Sequence, residues 1–146
     1  MKHDELLDQL KEFYAEMEKG KLQSLGDFYH QEVTFEDPVQ QVLGLEDLKS
    51  YLEHSIENVD YCHFTFEDEL VNEKGGFLTW QMRFAHPKIR DGAEIVVPGV
   101  TQLKFDDDNG LIREHHDYYD MGALVYEHIP VVGWLTNKVK DRMKTS

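Results

Sequence analysis

Two kinds of hydrophobic spacing divide the chain. Up to residue 60, leucine and aromatic side chains recur every three to four positions between charged ones, which is the pattern of helices that bury one face. This spacing predicts a first helix that ends near Gly20, a short second helix over 21–29 and a third helix over 45–58. A strand over 32–36, stopped by Pro38, is predicted between the second and third helices.

Beyond residue 60 the spacing changes to alternation. Apolar and polar residues alternate over 61–71, 77–86, 93–105 and 111–120, and turn residues separate these runs. Four strands are therefore predicted, with a bulge or bend at Pro98-Gly99. Two more helices are predicted over 121–127 and 132–143. Helices first and an antiparallel meander later give an α+β class.

The 146 residues predict a single domain, 1–146, in which 121–146 is a helical extension. No apolar run approaches the roughly 18 residues that span a bilayer, and the N-terminus has no apolar segment typical of a secretion signal. The single cysteine, Cys62, cannot form an internal disulfide. These features predict a cytoplasmic protein.

The formal net charge of −14 limits the classes of partner. Contacts to nucleic-acid phosphates require Lys and Arg, so we expect no nucleic-acid partner. An acidic surface also disfavours anionic substrates unless a local basic site overrides its field. Basic residues concentrate only at the C-terminus.

Ionisable and aromatic residues concentrate in the last predicted strand. Because successive side chains of a strand point to opposite faces, His115, Asp117 and Tyr119 share one face. By the same rule Phe35 shares a face with Asp37, far upstream. Aspartate is unfavourable in the middle of a strand, so Asp117 needs a reason to be there. Asp37 precedes a proline and could equally serve as a turn residue. We predict that the two carboxylates lie in one apolar pocket.

Three residues are predicted to carry proton transfer: Asp37, Asp117 and His115. Two carboxylates in one pocket repel each other, so one tends to hold a proton and the pair can offer one acid and one base. A structural histidine bonded to a neighbour fits the position of His115 equally well. A zinc or iron site would need a third ligand at a defined place, so no metal and no cofactor are expected. The predicted ligand-binding side chains are Tyr14, Phe35, Trp80, Met82 and Tyr119.

The order of predicted elements resembles the nuclear transport factor 2-like fold over nearly the whole chain. That superfamily includes ketosteroid isomerase, scytalone dehydratase, limonene-epoxide hydrolase and the SnoaL-like polyketide cyclases. The resemblance implies a cystatin-like cone, in which a strongly bent antiparallel sheet carries the N-terminal helices on its concave face. It also implies a pocket for a small hydrophobic molecule and, because twofold dimers are common in this fold, a homodimer.

Two local matches carry the resemblance. The stretch 34–39, Thr-Phe-Glu-Asp-Pro-Val, is similar to ketosteroid isomerase, in which the aspartate before proline is the general base. The stretch 117–120, Asp-Tyr-Tyr-Asp, is similar to the end of limonene-epoxide hydrolase, in which the aspartate at the position of Asp117 helps to activate water. SnoaL-like cyclases likewise use an acid on this last strand.

The chain also departs from both enzymes. The oxyanion hole of ketosteroid isomerase is built from a tyrosine and a protonated aspartate, and the matching positions are Phe13 and Thr101. Tyr14 lies about 100° further around the helix. The strand that carries an Arg-x-Asp pair in limonene-epoxide hydrolase has no acid over 80–84. Neither activity is expected to transfer intact.

Two functional hypotheses follow. The first is an enzyme of isomerase, cyclase, dehydratase or hydrolase type that acts on a small hydrophobic molecule through Asp37 and Asp117. The second is a noncatalytic module that binds an apolar ligand or dimerises through its sheet. The carboxylates favour the first hypothesis, and the missing oxyanion hole favours the second.

The C-terminal segment 129–144 carries more apolar surface than a free tail should expose, with lysine and arginine around it. It could lie over the cavity as a lid, or it could bind an anionic membrane. Because the rest of the chain is acidic, we expect the segment to pack on the protein.

Overall fold

The chain forms helices first and long strands afterwards, as the two spacings predict. The computed structural model describes residues 3–120 and 138–144. In chain order the elements are α1 (Asp4–Ala15), a 3-10 helix (Lys19–Asp27), β1 (Tyr29–Glu36), β2 (Gln41–Leu43), α2 (Leu45–Glu57), β3 (Tyr61–Val71), β4 (Gly75–Ala85), a short 3-10 helix (Arg90–Gly92), β5 (Ile95–Phe105) and β6 (Ile112–Tyr119). Residues 138–144 are helical and include the end of the helix predicted over 132–143, whereas the helix predicted over 121–127 and most of the predicted lid lie outside the described residues.

Six strands form one sheet in the order β2-β1-β6-β5-β4-β3. The meander from β3 to β6 pairs antiparallel throughout, so the α+β class is confirmed. One pair departs from the fully antiparallel sheet that was expected, because β1 lies parallel to β6. This pairing places the end of β1 beside the middle of β6, with Phe35 opposite His115.

The sheet bends where its pairing is irregular. The register between β3 and β4 shifts between Phe66 and Glu69, and another shift lies near the end of β5. No bulge lies at Pro98-Gly99, because the pairing of β4 with β5 continues through these residues without a register shift, and the alternative of a bend there stays a prediction. Gly99 serves a packing role instead, since a Cβ there would lie 2.3 Å from the ring of Trp80.

One short strand, β2, was not predicted. β2 has three residues and pairs with the end of β1, which is too short a run for alternation to reveal. Gly44 follows it with a φ of 89°, a conformation that side chains other than glycine rarely adopt, and α2 begins at the next residue.

The helices cover one face of the sheet. α1 packs against β3, and α2 packs against β1 and β2. The buried side of α1 carries Leu7, Leu10, Phe13 and Tyr14, and the buried side of β4 carries Leu78, Trp80, Met82 and Phe84. Each such side chain contributes roughly 1.5–3 kcal/mol when fully buried. Among the helices that the structure describes, none is both long and apolar enough to cross a membrane.

Candidate active site

A cavity of about 270 Å³ lies between the two helices and the inner face of the sheet. Its wall is mainly apolar and includes Met17, Leu52, Ile56, Phe64 and Phe84. Polar groups reach it from four elements: Tyr14 from α1, Tyr51 from α2, Asp37 from the end of β1, and Asp117 and Tyr119 from β6. An apolar wall with a few convergent polar groups is the usual form of a small-molecule site.

Six of the eight predicted site residues line this cavity, namely Asp37, Asp117, Tyr14, Phe35, Met82 and Tyr119. Trp80 and His115 do not. Trp80 is 1% exposed and lies behind the wall, with its ring 4.7 Å from that of Phe64, so its predicted wall position is wrong. His115 is 2% exposed and lies beside Asp117, while His116 points to the other face and pairs with Glu36.

Asp117 is held rigidly from one side. Its Oδ1 accepts a hydrogen bond from the Thr101 hydroxyl at 2.5 Å and lies 2.8 Å from Nε2 of His115. The indole N–H of Trp80 donates to the Thr101 oxygen at 2.7 Å. Among the described residues nothing donates to Oδ2, yet every buried polar side-chain atom there has a partner. Oδ2 is therefore accessible, and because Asp117 lines the cavity, Oδ2 is the oxygen that it offers to a ligand.

A chain of hydrogen bonds continues from Asp117 to a second residue of the cavity wall. Nδ1 of His115 lies 2.7 Å from the Tyr29 hydroxyl, which lies 2.7 Å from the Tyr14 hydroxyl. The rings of Tyr14, Tyr29 and Phe35 surround the His115 ring at centroid distances of 4.7 to 5.8 Å. This buried chain links two residues of the cavity wall, Tyr14 and Asp117, through two residues that lie behind it.

Asp37 combines the two roles that its sequence position suggested. Its Oδ1 accepts the backbone N–H groups of Val39 and Gln40 at 2.9 and 3.1 Å, which is the turn role. Its Oδ2 accepts the Tyr51 hydroxyl at 2.6 Å and lies at the cavity. Both oxygens of Asp37 are therefore engaged by the chain itself, unlike Oδ2 of Asp117.

The phenols around the cavity stay protonated over a wide pH range. Burial, followed by the charge of Asp117, raises the pKa of Tyr14. Burial also raises the pKa of Tyr119, and the charges of Asp37 and Asp117 add to the effect. For Tyr51 the causes of the raised pKa are burial and then the hydrogen bond to Asp37. A neutral phenol has one proton to donate. Tyr51 gives its proton to Asp37, whereas Tyr119 has no acceptor among the described residues and suits a ligand that carries an oxygen acceptor.

The sequence pattern did not predict Tyr29, Tyr51 or the role of Thr101 as a donor. Tyr51 lies on α2 between Leu48 and Leu52, at a spacing that could have placed it on the inner face. Tyr29 gave no comparable signal, because its partners are 15 and 86 residues away along the chain.

Within 3–120 and 138–144, no three His, Cys, Asp or Glu side chains are grouped so that they could hold a metal ion. The other hydrogen-bond partners of the pair His115 and Asp117 are Tyr29, at Nδ1 of His115, and Thr101, at Oδ1 of Asp117. The arrangement is suited to moving protons, which needs donors and acceptors in direct contact.

A sequence profile of the SnoaL-like domain matches residues 10–115, close to three quarters of the chain. The match ends just before Asp117, so it covers most of the cavity wall and His115. No protein with curated function matches the chain.

Solved structures share the fold at low sequence identity. A proposed SnoaL-like polyketide cyclase from Shewanella putrefaciens is 20% identical, with a TM-score of 0.71 over 85% of this chain and 93% of that one. A hypothetical protein with a ketosteroid isomerase-like fold from Catenulispora acidiphila, solved with trimethylamine, is 14% identical, with a TM-score of 0.72 over 86% of this chain and 92% of that one. AclR, a proposed hydroxylase from Streptomyces galilaeus, is 15% identical, with a TM-score of 0.66 over 85% and 92%. The predicted ketosteroid isomerase-like fold is confirmed.

Proposed function

Because the chain belongs to the SnoaL-like domain family, we propose that its cavity binds a small hydrophobic molecule and that Asp117 moves a proton on that molecule. One observation carries the proposal: Asp117 is fixed at Oδ1 and leaves Oδ2 free at an apolar cavity. A positioned carboxylate within reach of a bound substrate is the first requirement for general acid–base catalysis.

The size of the cavity limits the substrate. Ligand sites commonly have roughly 300–1,000 Å³, and a volume of about 270 Å³ favours a molecule of one or two rings. The hydroxyl of Tyr119 suits a carbonyl or ether oxygen on it, since Tyr51 already donates its proton to Asp37. Proton abstraction next to a carbonyl, cyclisation, dehydration and water addition are the reactions that this set of groups can serve. A structural neighbour described as a proposed SnoaL-like polyketide cyclase supports cyclisation among these reactions.

We assign Asp37 a supporting role. Its two oxygens hold the turn after β1 and the Tyr51 hydroxyl, so it has less capacity than Asp117 to take a substrate proton. Its charge faces the same cavity and disfavours a ligand that enters the cavity as an anion. Loss of Asp37 should therefore affect binding through Tyr51 more than it affects the proton transfer.

A second candidate function is noncatalytic binding. Among the described residues that line the cavity there is no Lys or Arg, so a negative charge developing on a substrate would be stabilised by phenols alone. That observation favours a module that binds an apolar ligand.

The family resemblance also supports a homodimer formed through the outer face of the sheet, where His116 and Tyr118 stack.

The experiment is a turnover and binding screen with small cyclic ketones and epoxides. Asp117→Asn should lower turnover by roughly 10²–10⁴, the usual contribution of a general base, and Asp37→Asn should mainly weaken binding. Glu114→Gln is the matched control, because Glu114 points to the opposite face of β6 and pairs with Lys104. If the protein binds these compounds without turnover, and Asp117→Asn binds them equally well, the protein is a noncatalytic binding module and the enzyme hypothesis is wrong.

A further inference from the structure

The hydrogen bonds around Asp117 have a fixed direction. The indole N–H of Trp80 can only donate, so it makes the Thr101 oxygen an acceptor. Thr101 then has its own proton for Oδ1 of Asp117, at 2.5 Å. An ionised carboxylate only accepts, so His115 donates to the same oxygen from Nε2.

The direction continues away from Asp117. With its proton on Nε2, a neutral His115 has a lone pair on Nδ1, and Tyr29 donates to it at 2.7 Å. The Tyr29 oxygen must then accept the proton of Tyr14, also at 2.7 Å. The Tyr14 oxygen is left with lone pairs, and Tyr14 lines the cavity. In this state the chain of hydrogen bonds presents an acceptor to the ligand.

We propose that Tyr14, Tyr29 and His115 form a proton relay that takes the proton of a weakly acidic hydroxyl group, an enol or a phenol, on the bound molecule. This inference rests on the proposed function and names its substrate class. Asp117 stays ionised during this transfer and acts through Oδ1 as the counter-ion of His115, so Oδ2 remains available for the proton transfer of the proposed function.

The transfer balances as three proton shifts with no change in oxidation state. The ligand O–H bond breaks as Tyr14 takes that proton, Tyr14 passes its former proton to Tyr29, and Tyr29 passes its own to Nδ1 of His115. The ligand becomes an enolate or phenolate and His115 becomes an imidazolium beside Asp117. The hydrogen bonds that join Tyr14, Tyr29 and His115 reverse, while His115 still donates to Asp117, so Tyr14 now donates to the ligand anion that it helped to form.

The surroundings of His115 suit this role. Tyr14 faces it from α1, Tyr29 and Phe35 face it from β1, and Asp117 faces it from its own strand, with Thr101 of β5 on the far side of the shared oxygen. None of these groups is cationic, and Asp117 favours the imidazolium. Burial raises the pKa of both Tyr14 and Tyr29, so neither phenol retains a negative charge and the proton passes through them to His115.

The first test determines the direction of the hydrogen bonds at His115 in the absence of a ligand. Nitrogen-15 NMR of the histidine rings in the ligand-free protein should show His115 as the Nε2–H tautomer with an acceptor Nδ1. Tyr29→Phe should move the Nδ1 resonance, whereas Tyr118→Phe, an exposed tyrosine on the same strand as His115, should leave it in place. A proton on Nδ1 in the wild-type protein would overturn the relay.

The second test uses 4-nitrophenol, whose phenolate absorbs at longer wavelength than the phenol. At a pH below the pKa of the free probe, the wild type and Tyr118→Phe should bind it as phenolate, without releasing a proton to a weakly buffered solution. Tyr29→Phe should bind it as neutral phenol, and the long-wavelength band should be lost. Tyr29 does not line the cavity, so a purely structural role would not change the ionisation of the probe.

The outcomes separate the relay from the proposed function. Neutral probe in the wild type, or the same phenolate band in Tyr29→Phe, overturns the relay and leaves the role of Asp117 intact. Failure of the wild type to bind the probe overturns both. If Tyr29→Phe does not fold by circular dichroism, Tyr14→Phe takes its place, because it breaks the same chain one residue nearer the ligand.

Discussion

Replacing Thr101 by valine tests the support of Asp117 most directly. The two side chains have nearly the same shape, so the substitution removes one hydroxyl with little change in packing. That hydroxyl accepts from Trp80 and donates to Asp117, and both contacts are buried. Valine therefore leaves the indole N–H of Trp80 without an acceptor in a place that water does not reach.

The magnitude follows from those two contacts. A buried donor without a partner costs about 1–3 kcal/mol, and a hydrogen bond to a charged group contributes about 1.5–3 kcal/mol. The added methyl group of valine offsets part of this. We expect the free energy of unfolding to fall by about 3 kcal/mol, which for a chain of this size lowers Tm by about 6–12 °C.

Urea unfolding followed by circular dichroism measures this change. Thr101→Ser keeps the hydroxyl and should stay close to the wild type. Thr65→Val is the matched control, since Thr65 is exposed on β3 of the same sheet. If Thr101→Val lies within about 0.5 kcal/mol of Thr65→Val, the range of an ordinary surface substitution, the hydrogen bonds do not support Asp117 as argued.

Two further changes test the fold around the site. Gly99→Ala places a Cβ 2.3 Å from the Trp80 ring and should destabilise the protein by about 1–3 kcal/mol in thermal unfolding. Gly20→Ala is the control, because a Cβ at that position meets no atom within 4 Å. Equal stability of the two variants would contradict the packing of Gly99 against Trp80. Burial raises the pKa of Tyr14 and Tyr29 above the 10.0 of an exposed phenol, so the unfolded state loses protons that the folded state keeps, and stability should fall as pH rises above 10.0. The absorbance of the Tyr14 and Tyr29 phenolates should appear only at the pH at which circular dichroism shows that the protein unfolds. Ionisation of these two tyrosines in the folded protein would refute their burial.

The sequence by itself determined the features that depend on local periodicity. Strand alternation is a property of the backbone, so His115 and Asp117 had to share a face, and the structure places them in contact. The same rule placed Phe35 and Asp37 towards one side, and both line the cavity. Four long strands and the helices before them also follow from spacing alone, because burial of one face selects those periods.

Only the tertiary structure decided which groups meet across elements. The bond between Tyr29 and His115 depends on the parallel pairing of β1 with β6, and no local pattern specifies the partner of a strand. Trp80 shares a face with wall residues, yet the close approach of Gly99 lets its ring lie behind them and reach Thr101. Alternation tells which face a side chain occupies, while the depth of that side chain and its hydrogen-bond partner depend on register and packing between distant segments.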